Sequence, residues 1–376
     1  MKITGNKIWI NEEFVPATIE IENDRIVSVK PGKGEADHDY QDNYVIPGLI
    51  DIHTHGYGGG SASDGKAEVF RTMIEHYPKE GVTTFLAGVM VRSEEAIKKS
   101  LSEVSRVMAE NNAGAELYGT FLQAPFLDHD YCGTYDRYWL KKPTLDKMKE
   151  YIKCSNNTIK TVSLAVEHDK DHEVLKYCVS QGIKVCLGFS NVSFEEAMQA
   201  MDEGATNVVH CFNCMPPLKS REPQLACAAL LNDNCFSEVM VDGLHVHPAV
   251  MQLVGRMKGK DKLISITDSS NMKGLPPGFY HTDVRDIYVC EDGIGRMPNG
   301  KIAGSMKPMI ENIKNMLELG KLPLATAINA VTINPARFLG IDDWKGLIKE
   351  GYCADITVYD DDYSVIQTIV HGKEML

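Results

Sequence analysis

Ile46-Pro-Gly-Leu-Ile-Asp-Ile-His-Thr-His-Gly56 is a turn, a short apolar run and two histidines, followed by the glycine-rich Gly56-Tyr-Gly-Gly-Gly60. The run 49–52 reads as a buried strand. Residues two apart on a strand point to the same side, so His53 and His55 aim their imidazoles at one point beyond the strand end. Neutral imidazoles converging in this way suit a transition metal. A bare His-x-His also occurs as an ordinary polar pair at a strand end, so its meaning depends on which other ligands the chain brings to the same place.

Outward from this stretch, to about residue 340, short apolar runs alternate with amphipathic helical ones. The strand candidates are 49–52, 83–89, 117–122, 161–165, 184–188, 207–210, 237–241 and 263–267. Between two of them, Ser193-Phe-Glu-Glu-Ala-Met-Gln-Ala200 has a capping serine and two glutamates in its first turn, where the helix dipole favours them. Strands alternating with helices over this length predict an α/β fold, a parallel (β/α)8 TIM-type barrel, with a doubly wound sheet as the alternative.

A barrel places its functional residues just after the strands, at their C-terminal ends. His53 and His55 lie there, followed by Gln123, His210 with Asn213, Asp242 with His245 and His247, and Asp268. One polar residue at a strand end says little, but a recurring set at the same end of successive strands points to a metal hydrolase. Asp268, within Ser265-Ile-Thr-Asp-Ser269, is suited to bind a metal and accept a proton from water. His247 precedes Pro248 at a helix start and reads as exposed.

The two ends of the chain have a matching texture. Lys7-Ile-Trp-Ile10, Ala17-Thr-Ile-Glu-Ile21 and Arg25-Ile-Val-Ser-Val29 alternate like short strands, and Gly351-Tyr-Cys-Ala-Asp-Ile-Thr-Val-Tyr359 and Val365-Ile-Gln-Thr-Ile-Val-His-Gly-Lys373 have the same texture. Residues 1–46 and 341–376 are therefore expected to share one β domain around a catalytic domain at 47–340, with 32–42 as a hairpin loop or linker.

Composition sets the remaining bounds. A chain of 376 residues with net charge −13 would repel a nucleic-acid backbone, whereas a phosphorylated small molecule needs only a few local cations. The start, Met1-Lys-Ile-Thr-Gly-Asn6, lacks a signal-peptide core and no apolar run is long enough for a bilayer, so no membrane partner and a cytoplasmic location are expected. Ten scattered cysteines read as reduced thiols. Cys211-Phe-Asn-Cys214 is formally a CxxC, with a zinc knuckle or redox pair as the other reading.

The opening stretch resembles the first metal-binding strand of the amidohydrolase superfamily. More narrowly, Leu122-Gln-Ala-Pro-Phe126, Leu187-Gly-Phe-Ser190, His210-Cys-Phe-Asn-Cys-Met-Pro-Pro-Leu218 with Arg221-Glu-Pro223, Asp242-Gly-Leu-His-Val-His-Pro248, Thr267-Asp268 and Ala303-Gly-Ser305 resemble the N-acetylglucosamine-6-phosphate deacetylase family. The resemblance runs in order along nearly the whole chain. It implies a barrel flanked by a β-sandwich built from both termini, a homodimer, and a metal-dependent deacetylation of an N-acetyl amino-sugar 6-phosphate.

Three positions depart from the family pattern. Gln123 stands where the family has a metal-binding glutamate, Phe189 where it has a metal-binding histidine, and Tyr135 of Cys132-Gly-Thr-Tyr135 where it has a substrate-facing histidine. What the resemblance leaves is a site for one divalent ion, zinc by expectation, at His53, His55 and Asp268, with His210 and the Gln123 carbonyl as further candidate ligands. Asp268 is the expected proton carrier. Asn213, His245 and Arg221, the last contributed across the dimer, are expected to hold the substrate's phosphate. The alternatives are a related enzyme acting on another phosphorylated or amide substrate, and a catalytically silent sugar-phosphate binder.

Overall fold

The computed structural model describes residues 1–110, 112–282 and 286–376. All six residues of Leu49–Thr54 are buried, as befits a strand covered on both faces. It is followed by Val82–Val89, Glu116–Leu122, Ile159–Leu164, Lys184–Leu187, Ala205–Val208, Phe236–Met240 and Leu263–Ile266, which together form one eight-stranded parallel sheet in chain order. Just beyond the last strand, Ser269 pairs in parallel with Thr54. Asp268 N donates to His53 O and His55 N to Ser269 O, both at 3.0 Å. These bonds close the sheet into a (β/α)8 barrel, which a doubly wound sheet cannot do.

Helices cover the outside. Phe70 and Met73 of Ala67–His76, and Val104 of Glu94–Met108, pack in one cluster with Phe85, Val239 and Leu263 of the strands. Ser193 accepts from Glu196 N and caps Phe194–Asp202, as its sequence predicts. His247 is exposed and caps Pro248–Lys262 by accepting from Ala249 N at 3.1 Å.

Both ends of the chain enter a second sheet, also eight-stranded, in which Tyr44–Pro47 lies between Lys2–Ile10 and Ile356–Tyr359. The sheet curls until Arg25 pairs with Cys353, and it encloses Ile3, Ile19, Ile26, Val45, Ile356 and Ile369. The result is a small β-sandwich made from one continuous sheet. Within the segment read as a loop, His38–Asp39 adds a short parallel strand to Lys2–Ile10. Gly48 joins sandwich to barrel: its N–H donates to Asp355 O at 2.8 Å, and a Cβ would fall 2.2 Å from Thr83 Oγ1.

After the last barrel strand the chain adds a four-stranded antiparallel insert, Gly278–His281, Asp286–Val289, Ile294–Arg296 and Ile302–Ser305. Ser270 N donates to Ser305 O at 3.0 Å, tying the insert to the closing seam. All ten cysteines are free, including Cys211 and Cys214. Among the described residues no helix is long and apolar enough to cross a membrane.

A buried lysine pins the two sheets together. Lys345, with 1% of its side chain exposed, donates to Thr84 Oγ1 at 3.0 Å and pairs with Glu116 at 2.8 Å and with Asp355. Burial opposes its charge, but Asp355 and Glu116 outweigh burial and raise its pKa. Burial likewise pushes Glu116 up, yet His371 and Lys345 bring it down to about 2. Lys345→Met leaves Asp355 without its buried cation and Glu116 with His371 alone, and should cost about 3–5 kcal/mol in urea unfolding. A carboxyl depressed in the fold stabilises it above its unfolded pKa and stops doing so as pH falls through its folded pKa. Glu116→Gln should therefore flatten the loss of stability between pH 4.5 and about 2, read as the urea midpoint against pH.

Candidate active site

The pairing of the first barrel strand with its neighbour is irregular between Asp51 and Thr54, and such a break re-aims side chains. Asp51 accepts from Thr267 Oγ1 at 2.5 Å, while the rings of His53 and His55 stand edge-on with centroids 5.1 Å apart. His53 Nδ1 donates to Glu238 Oε2 at 2.8 Å and His55 Nδ1 to the Gly88 carbonyl at 2.9 Å. A carbonyl oxygen only accepts, as does an ionised carboxylate, so both Nδ1 atoms carry the proton and each Nε2 is left as an acceptor. His53 Nε2 lies 3.4 Å and His55 Nε2 3.0 Å from Asp268 Oδ1.

These three acceptor atoms lie within 4.8 Å of one another, and His55 Nε2 is buried with no hydrogen-bond partner. Acceptors crowded together repel unless a cation lies between them. Two imidazoles and a carboxylate, each backed by a second hydrogen bond or charge, are a donor set that fits a divalent transition metal with open positions. The electrostatics agree. Burial works against a charge on His53, but Asp268, Glu238 and Asp51 outweigh it and raise its pKa. Burial would raise Asp268, but His53, His55 and His210 hold its carboxyl well below the usual range.

Gln123, 1% exposed, touches the same centre: its Nε2 lies 3.0 Å from His53 Nε2, and its Oε1 accepts from the Tyr135 hydroxyl. In this orientation the amide nitrogen faces the imidazole, so the carbonyl ligand anticipated from the sequence is turned away. The acceptor character of His53 Nε2 and the tyrosine donor favour the same orientation. His210 also stands beside the three-atom cluster rather than within it, its ring 5.6 Å from His53 and packed edge-on against Phe189 at 4.5 Å. Burial and the neighbouring His53 lower its pKa to about 4, so it is neutral near pH 7. Its Nδ1 is buried without a partner.

A cavity of about 420 Å³ opens over this floor. Asn213, Tyr135, Phe189 and His245 line it, as do Lys301 and Ile302 of the insert. Asn213 N donates to His210 O at 2.9 Å in a turn, leaving the side-chain Nδ2 buried and unpartnered. His245 donates Nδ1 to Asp242 at 2.6 Å; burial lowers its pKa, but Asp242 and then Asp268 raise it above the usual value. Arg221 is exposed on the loop before Gln224–Leu231 and does not line the cavity of its own chain.

The sequence reading passed over Glu238, Gly88 and Lys301. Glu238 had a visible signal, a charge inside the otherwise uncharged run Phe236–Met240; it also accepts from Asn207 Nδ2 at 2.5 Å. Gly88 had none: a Cβ there would lie 2.5 Å from His55 Nδ1, so only glycine lets that ring reach the backbone carbonyl. Glu238→Ala should weaken metal binding about 10- to 100-fold in a chelator competition titration, with Glu238→Gln retaining most of the affinity. Gly88→Ala should weaken it through His55 without altering the donor set.

The description "Amidohydrolase family" matches residues 44–375. The chain is 31% identical over 335 residues to N-acetylglucosamine-6-phosphate deacetylase of Bacillus subtilis, covering 88% of this chain and 84% of that protein. It is 29% identical over 329 residues to N-acetylgalactosamine-6-phosphate deacetylase of Escherichia coli, covering 88% and 87%. The crystal structure of N-acetyl-D-glucosamine-6-phosphate deacetylase from Mycobacterium smegmatis superposes with a TM-score of 0.94 at 26% identity, covering 100% of both chains. Membership of this kind implies a divalent metal, which the donor set at the barrel floor suits. The chain belongs to the amidohydrolase family and, within it, to the N-acetylglucosamine-6-phosphate deacetylase family.

Proposed function

We propose that this protein is a metal-dependent hydrolase that removes the acetyl group from an N-acetyl amino-sugar 6-phosphate. The observation that carries the reading is the convergence of His53 Nε2, His55 Nε2 and Asp268 Oδ1 at the floor of the cavity, with both Nδ1 atoms committed elsewhere. Relatives that deacetylate the gluco and galacto 6-phosphates support the substrate class.

His53, His55 and Asp268 would hold one divalent ion, zinc by its preference for such a ligand set. The chemistry supplied by an ion there is Lewis acidity, which brings the pKa of water toward neutrality and polarises a carbonyl. Asp268, ionised at neutral pH, takes a proton from the attacking water and returns it to the amide nitrogen as the C–N bond breaks. Acetate and the free amine leave. Gln123, its Oε1 held by the Tyr135 hydroxyl, lies against His53 without adding a ligand, and neutral His210 lines the cavity beside it. Asn213 and His245 receive the phosphate. Arg221, exposed on its loop, reaches the site of the partner subunit in a homodimer.

Gln123 and Phe189 favour a second reading, in which the altered pocket serves another phosphorylated or amide substrate or only binds a sugar phosphate. Metal analysis beside an acetate-release assay on both N-acetylhexosamine 6-phosphates separates these outcomes. The expected result is one metal ion per chain with acetate released, and a loss of kcat of about 10²–10⁴-fold in Asp268→Asn. Metal without acetate release points to another substrate, and neither metal nor activity to a silent binder. A cationic His245 attracts phosphate fully below its pKa and loses that attraction as pH rises through it. The affinity for glucosamine 6-phosphate, measured by calorimetry, should therefore fall as pH climbs past the raised His245 pKa, above 6.5.

A further inference from the structure

We propose that Lys301, carried by the antiparallel insert, completes a phosphate-binding set with Asn213 and His245, so that each chain meets the phosphate of its substrate with a cation of its own that persists where His245 is neutral. This deepens the deacetylase reading and rests on it.

The cavity sorts its polar atoms by kind. His53 Nε2, His55 Nε2 and Asp268 Oδ1 are acceptors gathered for a cation. Asn213 Nδ2 is instead a buried donor without a partner, and His245, its Nδ1 used on Asp242 at 2.6 Å, has Nε2 left for the cavity. Lys301 lines the same cavity and adds an ammonium. A buried amide N–H, an ammonium and, once His245 is cationic, its Nε2–H describe a site for an anion as directly as three acceptors describe one for a metal.

The insert's other described cations are already spent. Arg296 forks onto Asp292 at 2.9 and 2.6 Å, and His281 pairs with Asp286 at 2.7 Å. Lys301 has no carboxylate partner among the described residues, in a chain with 52 acidic residues against 39 lysines and arginines. Its charge reaches the cavity wall: burial and Asp268 push the Cys214 thiol up to about 12, and Lys301 pulls in the opposite direction. Cys214 is the neighbour of Asn213. The position of Lys301 is also set by the fold, because it directly precedes Ile302–Ser305, the strand tied through Ser305 to Ser269 and Ser270 beside Asp268.

The test is calorimetric titration of the metal-loaded protein with glucosamine 6-phosphate and with glucosamine, comparing wild type, Lys301→Gln and Lys301→Arg. Wild type should prefer the phosphorylated sugar. Lys301→Gln should weaken glucosamine 6-phosphate roughly tenfold and leave glucosamine unchanged, as expected for loss of one charge-assisted hydrogen bond, and Lys301→Arg should recover most of the loss. If wild type does not distinguish the two sugars, the deacetylase reading for a phosphorylated substrate fails. If wild type distinguishes them and Lys301→Gln does so equally well, the role of Lys301 is overturned while that reading stands.

Discussion

Two backbone hydrogen bonds, from Asp268 N to His53 O and from His55 N to Ser269 O, close the barrel between its first and last strands. Each is worth only about 0.5–1.5 kcal/mol net, but an unmade bond at this depth would leave buried polar groups unsatisfied. The same bonds align the three acceptor side chains, because the residues of the seam are those of the candidate metal centre. Asp268 adopts φ 45°, a left-handed conformation uncommon outside glycine. Its carboxylate is held there against His53 and His55, so closure of the fold and assembly of the site are one event.

Negative charge around the seam then sets the chemistry. Asp51, Glu238 and Asp268 are carboxyl-bearing residues near the barrel floor, with Glu238 directly behind His53. Buried carboxylates are costly unless paired, and this arrangement draws positive charge to the imidazole nitrogens. A metal answers the requirement, and a second proton on His53 answers it in part. Around the three acceptors this chain places the amide of Gln123 and the ring of Phe189. These side chains fill space and direct a hydrogen bond without adding charge, which keeps the demand for a cation at His53, His55 and Asp268.

Much of the scaffold was legible because each barrel strand is a short apolar run bounded by turn residues, and each helix a separate periodic segment. Ser193 at its helix start and the matched β texture of the two termini were equally readable. The insert was not: its strands are only three or four residues long, and Gly278–His281 is mostly exposed, so alternation carries little signal. The orientation of Gln123 was also hidden. It depends on the Tyr135 hydroxyl, twelve residues away in the chain and brought into contact by a loop. His210 was recognised as a polar residue at a strand end, but whether it joined the cluster or stood beside it depended on the ring of Phe189.

The sequence by itself determined the order of the strands, the residue types at their C-terminal ends and the acidic balance of the chain, because these follow from local periodicity and composition. Tertiary structure decided which of those residues meet. Glu238 lies 185 residues from His53, and Gly88 lies 33 from His55, yet they fix the protonation of both rings. Such contacts leave no local pattern, since a side chain's tautomer is set by whichever atom lies across the barrel from it. Only the closed barrel shows that two histidines at the end of one strand face a carboxylate at the end of another with their acceptor atoms turned inward.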